Sequence, residues 1–176
     1  MRLILLRHGE SQWNLENRFT GWEDVSLTET GFKEAISSAE KLVENNIEIS
    51  TIYTSLLQRA INTSKIVADF IKFPINKIKY DWRLNERHYG ALQGLNKSET
   101  AAKYGEDQVL IWRRSYDIPP PKLDIDDQRH PKFNSIFQKI EGDLPLGESL
   151  KDVINRLNPF WKEYLNKIKI ISGDHL

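Results

Sequence analysis

An arginine and a histidine, Arg7 and His8, stand side by side directly after an apolar run at residues 3–6. The run Leu-Ile-Leu-Leu predicts a short, fully buried strand. Ligands of α/β folds bind at the carboxyl ends of parallel strands. An arginine there can clamp phosphate oxygens in bidentate fashion, and a neutral imidazole is a nucleophile near pH 7. The alternative is a strand that ends in a solvated basic turn, and these residues alone do not separate the two.

Three further arginine clusters follow along the chain: Gln58-Arg59-Ala60, residues 85–90 (Asn-Glu-Arg-His-Tyr-Gly) and Trp112-Arg113-Arg114. The first two come directly after predicted strands, so a parallel sheet would bring them to the same edge as His8. Arg59 falls in the first turn of a predicted helix, where the helix dipole disfavours a cation, and a bound anion would account for it. The alternative is an extended surface side chain.

Glu86 and the Arg113-Arg114 pair each allow two interpretations. Glu86 is either a structural ion-pair partner or a general acid and base acting on a substrate hydroxyl. Arg113 and Arg114 are neighbours on a predicted helix and diverge by about 100°. Either one of them reaches the site while the other pairs elsewhere, or the end of the helix lets both reach it.

Hydrophobic periodicity predicts the elements that position these residues. Thr28 is the expected N-cap of a helix that ends at Asn45-Asn46, and Ser55 is the expected N-cap of the next. Strands are predicted over residues 3–6, 49–54 and 77–82; further helices are predicted over residues 98–104, 106–116 and 149 to about 169, the last kinked or divided at Pro159. Strand–helix alternation implies right-handed crossovers and an α/β fold with a mostly parallel sheet. Residues 118–146 are predicted to form a surface excursion of a single domain, 1–176.

Composition narrows the class of protein. Lys plus Arg and Asp plus Glu both number 25, so the formal net charge is zero and nothing indicates nucleic acid or an anionic membrane as a partner. The absence of cysteine excludes disulfides, a thiol nucleophile and a Cys-ligated metal site, and it suits a reducing compartment. The apolar run near the start is too short for a signal peptide or a membrane span. We therefore expect a soluble, cytoplasmic protein.

Several longer motifs resemble the cofactor-dependent phosphoglycerate mutases of the histidine phosphatase superfamily. They are residues 7–11 (RHGES) with Asn14, residues 18–22 (RFTGW), residues 84–96 (LNERHYGALQGLN), Trp112-Arg113-Arg114 and residues 146–150 (LGESL). The RHG triplet alone is typical of the superfamily, whereas residues 84–96 are far more specific. The resemblance implies a three-layer α/β/α fold with a mostly parallel central sheet.

The resemblance also implies residue roles. His8 would be the phosphorylated nucleophile, Arg7 and Arg59 would hold the transferring phosphoryl group, and Glu86 would donate and accept the proton. The substrate site would also include Asn14, Thr20, Gly21, Tyr89, Lys97, Arg113 and Arg114. The family interconverts 3-phosphoglycerate and 2-phosphoglycerate, small phosphorylated three-carbon acids. It uses 2,3-bisphosphoglycerate as priming cofactor and no metal, and a homo-oligomer is left open.

The sequence departs from the family in one respect. The family carries a second catalytic histidine in a His-Gly-Asn motif, on a strand that follows the last helix and lies beside the first strand. Residues 172–176 (Ser-Gly-Asp-His-Leu) stand where that strand is expected to begin, and the C-terminal strands are missing from the sequence. We therefore expect the gap beside residues 3–6 to be closed by residues 49–54, by a rearranged segment at 168–171 or by another chain. The alternatives to a mutase are an impaired relative that binds phosphorylated ligands, or a weak phosphatase.

Overall fold

The computed structural model describes residues 2–171, and the side chains of residues 2–164. The α-helices in this range are α1 (Gln12–Leu15), α2 (Glu29–Glu44), α3 (Gln58–Phe70), α4 (Lys97–Tyr104), α5 (Glu106–Arg114) and α6 (Leu150–Ile171). The strands are β1 (Tyr53–Thr54) and β2 (Lys79–Tyr80). Short 3-10 turns cover Ile75–Lys77, Trp82–Leu84, Gly90–Leu92, Pro131–Phe133 and Ser135–Phe137. None of the helices in the described range is long and apolar enough to cross a membrane.

Helix α2 forms where its sequence predicts it. The Thr28 hydroxyl accepts a hydrogen bond from the Gly31 N–H at 3.1 Å, and Glu29 adds a negative charge to the first turn. The helix ends at Asn45-Asn46, where Asn46 takes a positive φ of 50°. Ala35 and Ala39 of this helix are buried, and α2 packs against α3.

The two strands pair in parallel, with Tyr53 opposite Lys79 and Thr54 opposite Tyr80. Parallel pairing between segments joined by a helix confirms the predicted α/β fold with a parallel sheet. The predicted strand lengths at 49–54 and 77–82 were wrong, because only two residues of each segment are paired. A 3-10 turn at Ile75–Lys77 precedes β2 and another at Trp82–Leu84 follows it, which limits the ladder.

The apolar run at residues 3–6 is not the buried strand that its sequence predicts. Leu3 is 59% exposed and Leu5 is 83% exposed, and within the described residues no backbone hydrogen bond joins residues 3–8 to another segment. A strand needs a partner on at least one edge, and β1 is paired only with β2 in the described range. Direct pairing with residues 49–54 is therefore not seen, and residues 168–171 belong to α6. Residues 172–176 lie outside the described residues.

A groove of about 710 Å³ separates residues 4–8 from residues 49–55. Its lining also includes Leu42 of α2 and, from α3 and its N-cap, Leu57, Arg59, Ala60, Thr63, Ser64 and Val67. His8, Arg59 and Glu86 also line the groove. Three of the predicted site residues therefore share one cavity.

The remaining predictions need smaller corrections. Helix α3 begins two residues later than expected, with Leu57 as N-cap, because the Ser55 hydroxyl instead accepts the Leu57 N–H at 3.3 Å. Helices α4 and α5 match their predicted positions, although α5 ends at Arg114. Helix α6 is continuous through Pro159.

Residues 118–146 are more than a surface excursion. Leu123 is 3% exposed and Phe137 is 1% exposed. Phe137 packs with Trp22 and Leu57 in a buried apolar cluster, and its ring centroid lies 4.9 Å from that of Trp22. The irregular segment thus supplies part of the core beside Trp22 and Leu57.

Candidate functional site

His8 lines the groove, and hydrogen bonds to both ring nitrogens fix the orientation of its ring. Its Nδ1 lies 2.6 Å from the Gly9 carbonyl oxygen, so Nδ1 carries the proton and donates it to that oxygen. The other ring nitrogen, Nε2, accepts a hydrogen bond from Arg59 Nε at 3.2 Å. This tautomer leaves the lone pair on Nε2, the nitrogen directed at Arg59, and an imidazole with that arrangement can act as a nucleophile.

The backbone beside His8 is positioned by a close approach of two glycines. A Cβ on Gly9 would lie 2.1 Å from the Gly31 carbonyl oxygen, and one on Gly31 would lie 2.1 Å from the Glu10 carbonyl oxygen. The Gly9 N–H also donates to Thr63 Oγ1 of α3 at 3.2 Å. Only residues without a side chain allow this contact. His8 is therefore held against both α2 and α3 although the run before it is unpaired.

Arg59 is fully buried and its donors are directed at several partners. Nη1 donates to the Glu23 carbonyl oxygen and Nη2 to the Gly21 carbonyl oxygen, both at 2.8 Å. Nη2 also donates to Glu86 Oε2 at 2.9 Å. A fully buried guanidinium with four acceptors is a fixed cation, in contrast to an extended surface side chain. It links the nucleophile candidate to the carboxylate candidate.

The His8 imidazole is neutral at pH 7. Burial lowers its pKa below 6.5, and the positive charges of Arg59 and Arg7 lower it further. The hydrogen bond to the Gly9 carbonyl and the charge of Glu86 act in the opposite direction but do not prevail. The nitrogen lone pair is therefore available at physiological pH.

Lys97 and Arg113 add positive charge to the same region. Burial lowers the pKa of Lys97, the nearby charges of Arg113 and Arg7 lower it further, and Glu86 raises it. Lys97 therefore interacts electrostatically with each of the other three residues. Lys97 is the first residue of α4, and Arg113 lies in the last turn of α5. A cluster of like charges around one carboxylate is a typical environment for a bound polyanion.

The other predicted site residues differ in whether they contact Arg59. Gly21 contacts Arg59 directly, and Thr20 beside it is buried. Tyr89 packs on Phe19, with ring centroids 5.2 Å apart. The Asn14 side-chain oxygen accepts a hydrogen bond from the Ser11 N–H at 3.1 Å and so forms part of the N-terminal cap of α1.

Arg113 and Arg114 differ in their surroundings. Arg113 is half-buried and lowers the pKa of Lys97, whereas Arg114 is exposed. Within the described residues, Arg113 interacts electrostatically with Lys97, which agrees with the interpretation that one arginine of the pair reaches the site. Arg114 as a site residue stays a prediction.

Sequence reasoning missed three residues that hold this site together. The Trp22 indole N–H donates to the Glu86 carbonyl oxygen at 2.6 Å. Arg87 Nη2 donates to the Arg113 carbonyl oxygen at 3.0 Å and so ties the loop to α5. Arg156 of α6 contacts the same loop from the other side. The partners of Arg156 are backbone carbonyls about seventy residues away, so the sequence carried no signal for this contact.

The side chains around His8 and Arg59 differ in type from those that bind a metal ion. Across the described residues, no three or more His, Cys, Asp or Glu side chains are grouped so that they could hold a metal ion. The donors that converge are nitrogen cations, which suit an anionic ligand.

Residues 3–169 match the model of the histidine phosphatase superfamily, branch 1. The chain is also similar to a curated 2,3-bisphosphoglycerate-dependent phosphoglycerate mutase of Bacteroides fragilis, in strains ATCC 25285 and YCH46. The identity is 56% over 162 residues, which is 92% of this chain and 65% of the relative. The chain therefore spans about two thirds of the length of the curated relatives it matches.

The fold of the chain is also similar to that of solved structures. A mycobacterial glucosyl-3-phosphoglycerate phosphatase complexed with VO3 matches with a TM-score of 0.67 and 25% identity, over 91% of this chain and 62% of that chain. Bacillus stearothermophilus YhfR matches with a TM-score of 0.62 and 27% identity, over 92% of this chain and 65% of that chain.

Proposed function

The chain belongs to the histidine phosphatase superfamily, and on this premise we propose that it carries the active site of a 2,3-bisphosphoglycerate-dependent phosphoglycerate mutase. The reaction is the interconversion of 3-phosphoglycerate and 2-phosphoglycerate, a step of glycolysis and gluconeogenesis, through a phosphohistidine. The observation that carries the proposal is the contact of Arg59 with both His8 Nε2, at 3.2 Å, and Glu86 Oε2, at 2.9 Å. One buried cation thereby joins a nucleophile and a proton carrier. The curated relatives bear the name of this activity.

His8 is the nucleophile of the proposed reaction. Its Nε2 lone pair forms the N–P bond while the P–O bond to the substrate breaks. Glu86 protonates the leaving oxygen, and it takes the proton back from the attacking hydroxyl in the return step. Arg59 and Arg7 stabilise the negative charge that spreads over the phosphoryl oxygens in a loose transition state. In other phosphoryl transfers Mg²⁺ neutralises this charge.

The cations further from His8 bind the rest of the substrate. Lys97 and Arg113 hold its carboxylate or second phosphate, and Arg114, Asn14, Thr20, Gly21 and Tyr89 complete the proposed substrate site. Burial lowers the pKa of Lys97, and the positive charges of Arg113 and Arg7 lower it further, so a bound anion would be stabilised by these cations. This cluster fits 2,3-bisphosphoglycerate, which supplies the phosphoryl group that primes His8. No metal takes part in the proposal.

Mass spectrometry tests the proposal. After incubation with 2,3-bisphosphoglycerate we expect acid-labile phosphate on His8 and none on a His8→Gln variant. A coupled assay is expected to show conversion of 3-phosphoglycerate, unaffected by chelator. Label on His88 or His130, or activity that is lost with chelator and restored by Mg²⁺, contradicts the proposal.

A phosphatase is the second candidate, and the open groove favours it. The groove of about 710 Å³ reaches His8, so water has access to a phosphohistidine formed there. One matched structure also bears the name of a glucosyl-3-phosphoglycerate phosphatase. An assay with and without bisphosphoglycerate separates the candidates: a mutase needs the primer, a phosphatase releases inorganic phosphate, and an impaired relative only binds. Each candidate is proposed for one cytoplasmic domain, 1–176, that acts on small phosphorylated acids.

A further inference from the structure

Arg156 of α6 donates hydrogen bonds to the backbone of the loop that carries Glu86. Its Nη1 donates to the Arg83 carbonyl oxygen at 2.9 Å and to the Asn85 carbonyl oxygen at 3.1 Å. Its Nη2 lies 3.4 Å from the carbonyl oxygen of Glu86 itself. These carbonyls belong to residues about seventy positions earlier in the chain, and they converge on a single guanidinium.

The charge of Arg156 is balanced by Glu148, which holds the far side of the same loop. Arg156 Nε and Nη2 donate to the two oxygens of Glu148 at 2.6 and 2.9 Å, and the side chains are 6% and 5% exposed. Glu148 Oε2 also accepts the His88 N–H at 2.8 Å. The buried ion pair thus contacts the loop on both sides of Glu86.

Trp22 also holds the backbone of Glu86. Its indole N–H donates to the Glu86 carbonyl oxygen at 2.6 Å, and the Arg156 guanidinium lies 5.4 Å from the centroid of its ring. The Trp22 backbone N–H is in turn held by Gln93 Oε1 at 2.9 Å. The Glu86 carbonyl is therefore fixed by two donors that come from separate parts of the chain.

We infer that Arg156 is a positioning residue that sets the place of the Glu86 carboxylate relative to His8. The inference rests on the proposed function, since it concerns the residue proposed to carry the proton. Arg156 does not contact the groove: it acts through the backbone of residues 83–86, and the Glu86 side chain then meets Arg59 at 2.9 Å. A shift of about 1 Å in such a group, caused by a change far from the chemistry, can cost about 10²-fold in rate.

A comparison of two phosphoryl donors tests the inference. Transfer from 2,3-bisphosphoglycerate to His8 expels an alkoxide oxygen that must gain a proton, whereas transfer from p-nitrophenyl phosphate expels a phenolate that leaves without one. Arg156→Met is expected to slow His8 phosphorylation by bisphosphoglycerate about 10²-fold and to leave the p-nitrophenyl phosphate rate unchanged. Glu86→Gln is likewise expected to slow phosphorylation by bisphosphoglycerate and to leave the p-nitrophenyl phosphate rate unchanged.

Further variants separate positioning from folding. Arg156→Met leaves the buried Glu148 carboxylate unpaired, which destabilises the fold, so the double variant Arg156→Met/Glu148→Gln is measured beside it. Arg156→Lys keeps the charge but lacks the planar fork that reaches several carbonyls, and is expected to restore stability with only part of the bisphosphoglycerate rate. Lys162→Met, at an exposed position of the same helix, is the matched control and should leave both rates unchanged.

Hydrogen exchange of the Trp22 indole N–H gives a readout that does not depend on activity. The proton is bonded to the Glu86 carbonyl, so displacement of the loop in the folded double variant is expected to speed its exchange relative to the Lys162→Met control. Equal loss of both donor rates, or unchanged rates with unchanged exchange, overturns the positioning role. If the unmodified chain accepts phosphate from neither donor, the proposed function fails, and indole exchange alone then decides whether Arg156 positions the loop.

Discussion

Arg59 Nε lies 3.2 Å from His8 Nε2, so a fully buried guanidinium points a donor at the nitrogen that would receive a phosphoryl group. Once Nε2 is bonded to phosphorus it no longer accepts that hydrogen bond. The Arg59 donor is then free to bind a phosphoryl oxygen without moving. This preorganisation is the property expected of a group that stabilises a phosphoryl-transfer transition state.

Replacing Arg59 is expected to slow His8 phosphorylation. Arg59→Lys keeps a charge but cannot contact His8, Glu86 and two carbonyls together. We expect the phosphorylation rate, followed by mass spectrometry, to fall at least about 10²-fold, which is the usual effect of one oriented donor. Lys65→Met, at an exposed position of the same helix, serves as the control. A rate within error of the control would remove Arg59 from the mechanism.

The rate of His8 phosphorylation is expected to depend on pH in a defined direction. The folded protein lowers the pKa of His8 below 6.5, mainly through burial. The imidazole therefore stays neutral and nucleophilic as the pH falls from 8 through 6.5, and the rate declines only at lower pH. Rapid-quench measurements between pH 5 and 8 check this. A midpoint at or above 6.5 would show that the site does not favour neutral His8.

His88 is expected to make the fold sensitive to acid. Burial lowers its pKa from 6.5 to about 3, so the unfolded chain binds more protons than the folded one between those values. The free energy of unfolding should be unaffected by this group above pH 6.5, and should fall by about 1.4 kcal/mol per pH unit below it, down to about 3. Urea titrations at several pH values measure the slope. His88→Asn, whose side-chain oxygen can accept the Gly90 N–H, should lack this contribution.

Gly31→Ala is expected to destabilise the protein although it lies in a helix. An alanine in a helix interior normally adds up to about 1 kcal/mol of stability over glycine. The new Cβ would lie 2.1 Å from the Glu10 carbonyl oxygen, and such overpacking costs about 1–3 kcal/mol. We expect the second effect to prevail and the melting temperature to fall. Ser37→Ala, at an exposed position of the same helix, is the control, and a rise in melting temperature with Gly31→Ala would refute the close approach.

The exposed run at residues 3–6 is expected to promote self-association. Leu5 is 83% exposed beside backbone groups that make no backbone hydrogen bond in the described structure, and unpaired apolar segments of this kind pair with other chains. Light scattering at increasing concentration should show association that Leu5→Lys reduces. Leu110→Lys changes another leucine, 55% exposed on α5, and should have little effect. Equal effects of both variants would point to net charge rather than to the segment.

Candidate site residues and part of the fold could be predicted from the sequence. Arg7, His8, Arg59 and Glu86 stand out by their types and by their positions after predicted strands, and the structure brings His8, Arg59 and Glu86 into contact. Helix α2 was predicted with its N-cap because capping and helical periodicity depend on residues a few positions apart. Such local signals can be read in a single sequence.

Only the tertiary structure decided the remaining features, because they depend on partners far apart in the chain. Residues 3–6 have the composition of a buried strand, but a strand exists only where another segment supplies hydrogen bonds, and no described segment does so. The paired lengths of β1 and β2 depend on each other in the same way. Arg156 acts on a loop about seventy residues away, through carbonyl groups that every residue possesses. Backbone acceptors carry no side-chain identity, so no sequence pattern marks them as partners.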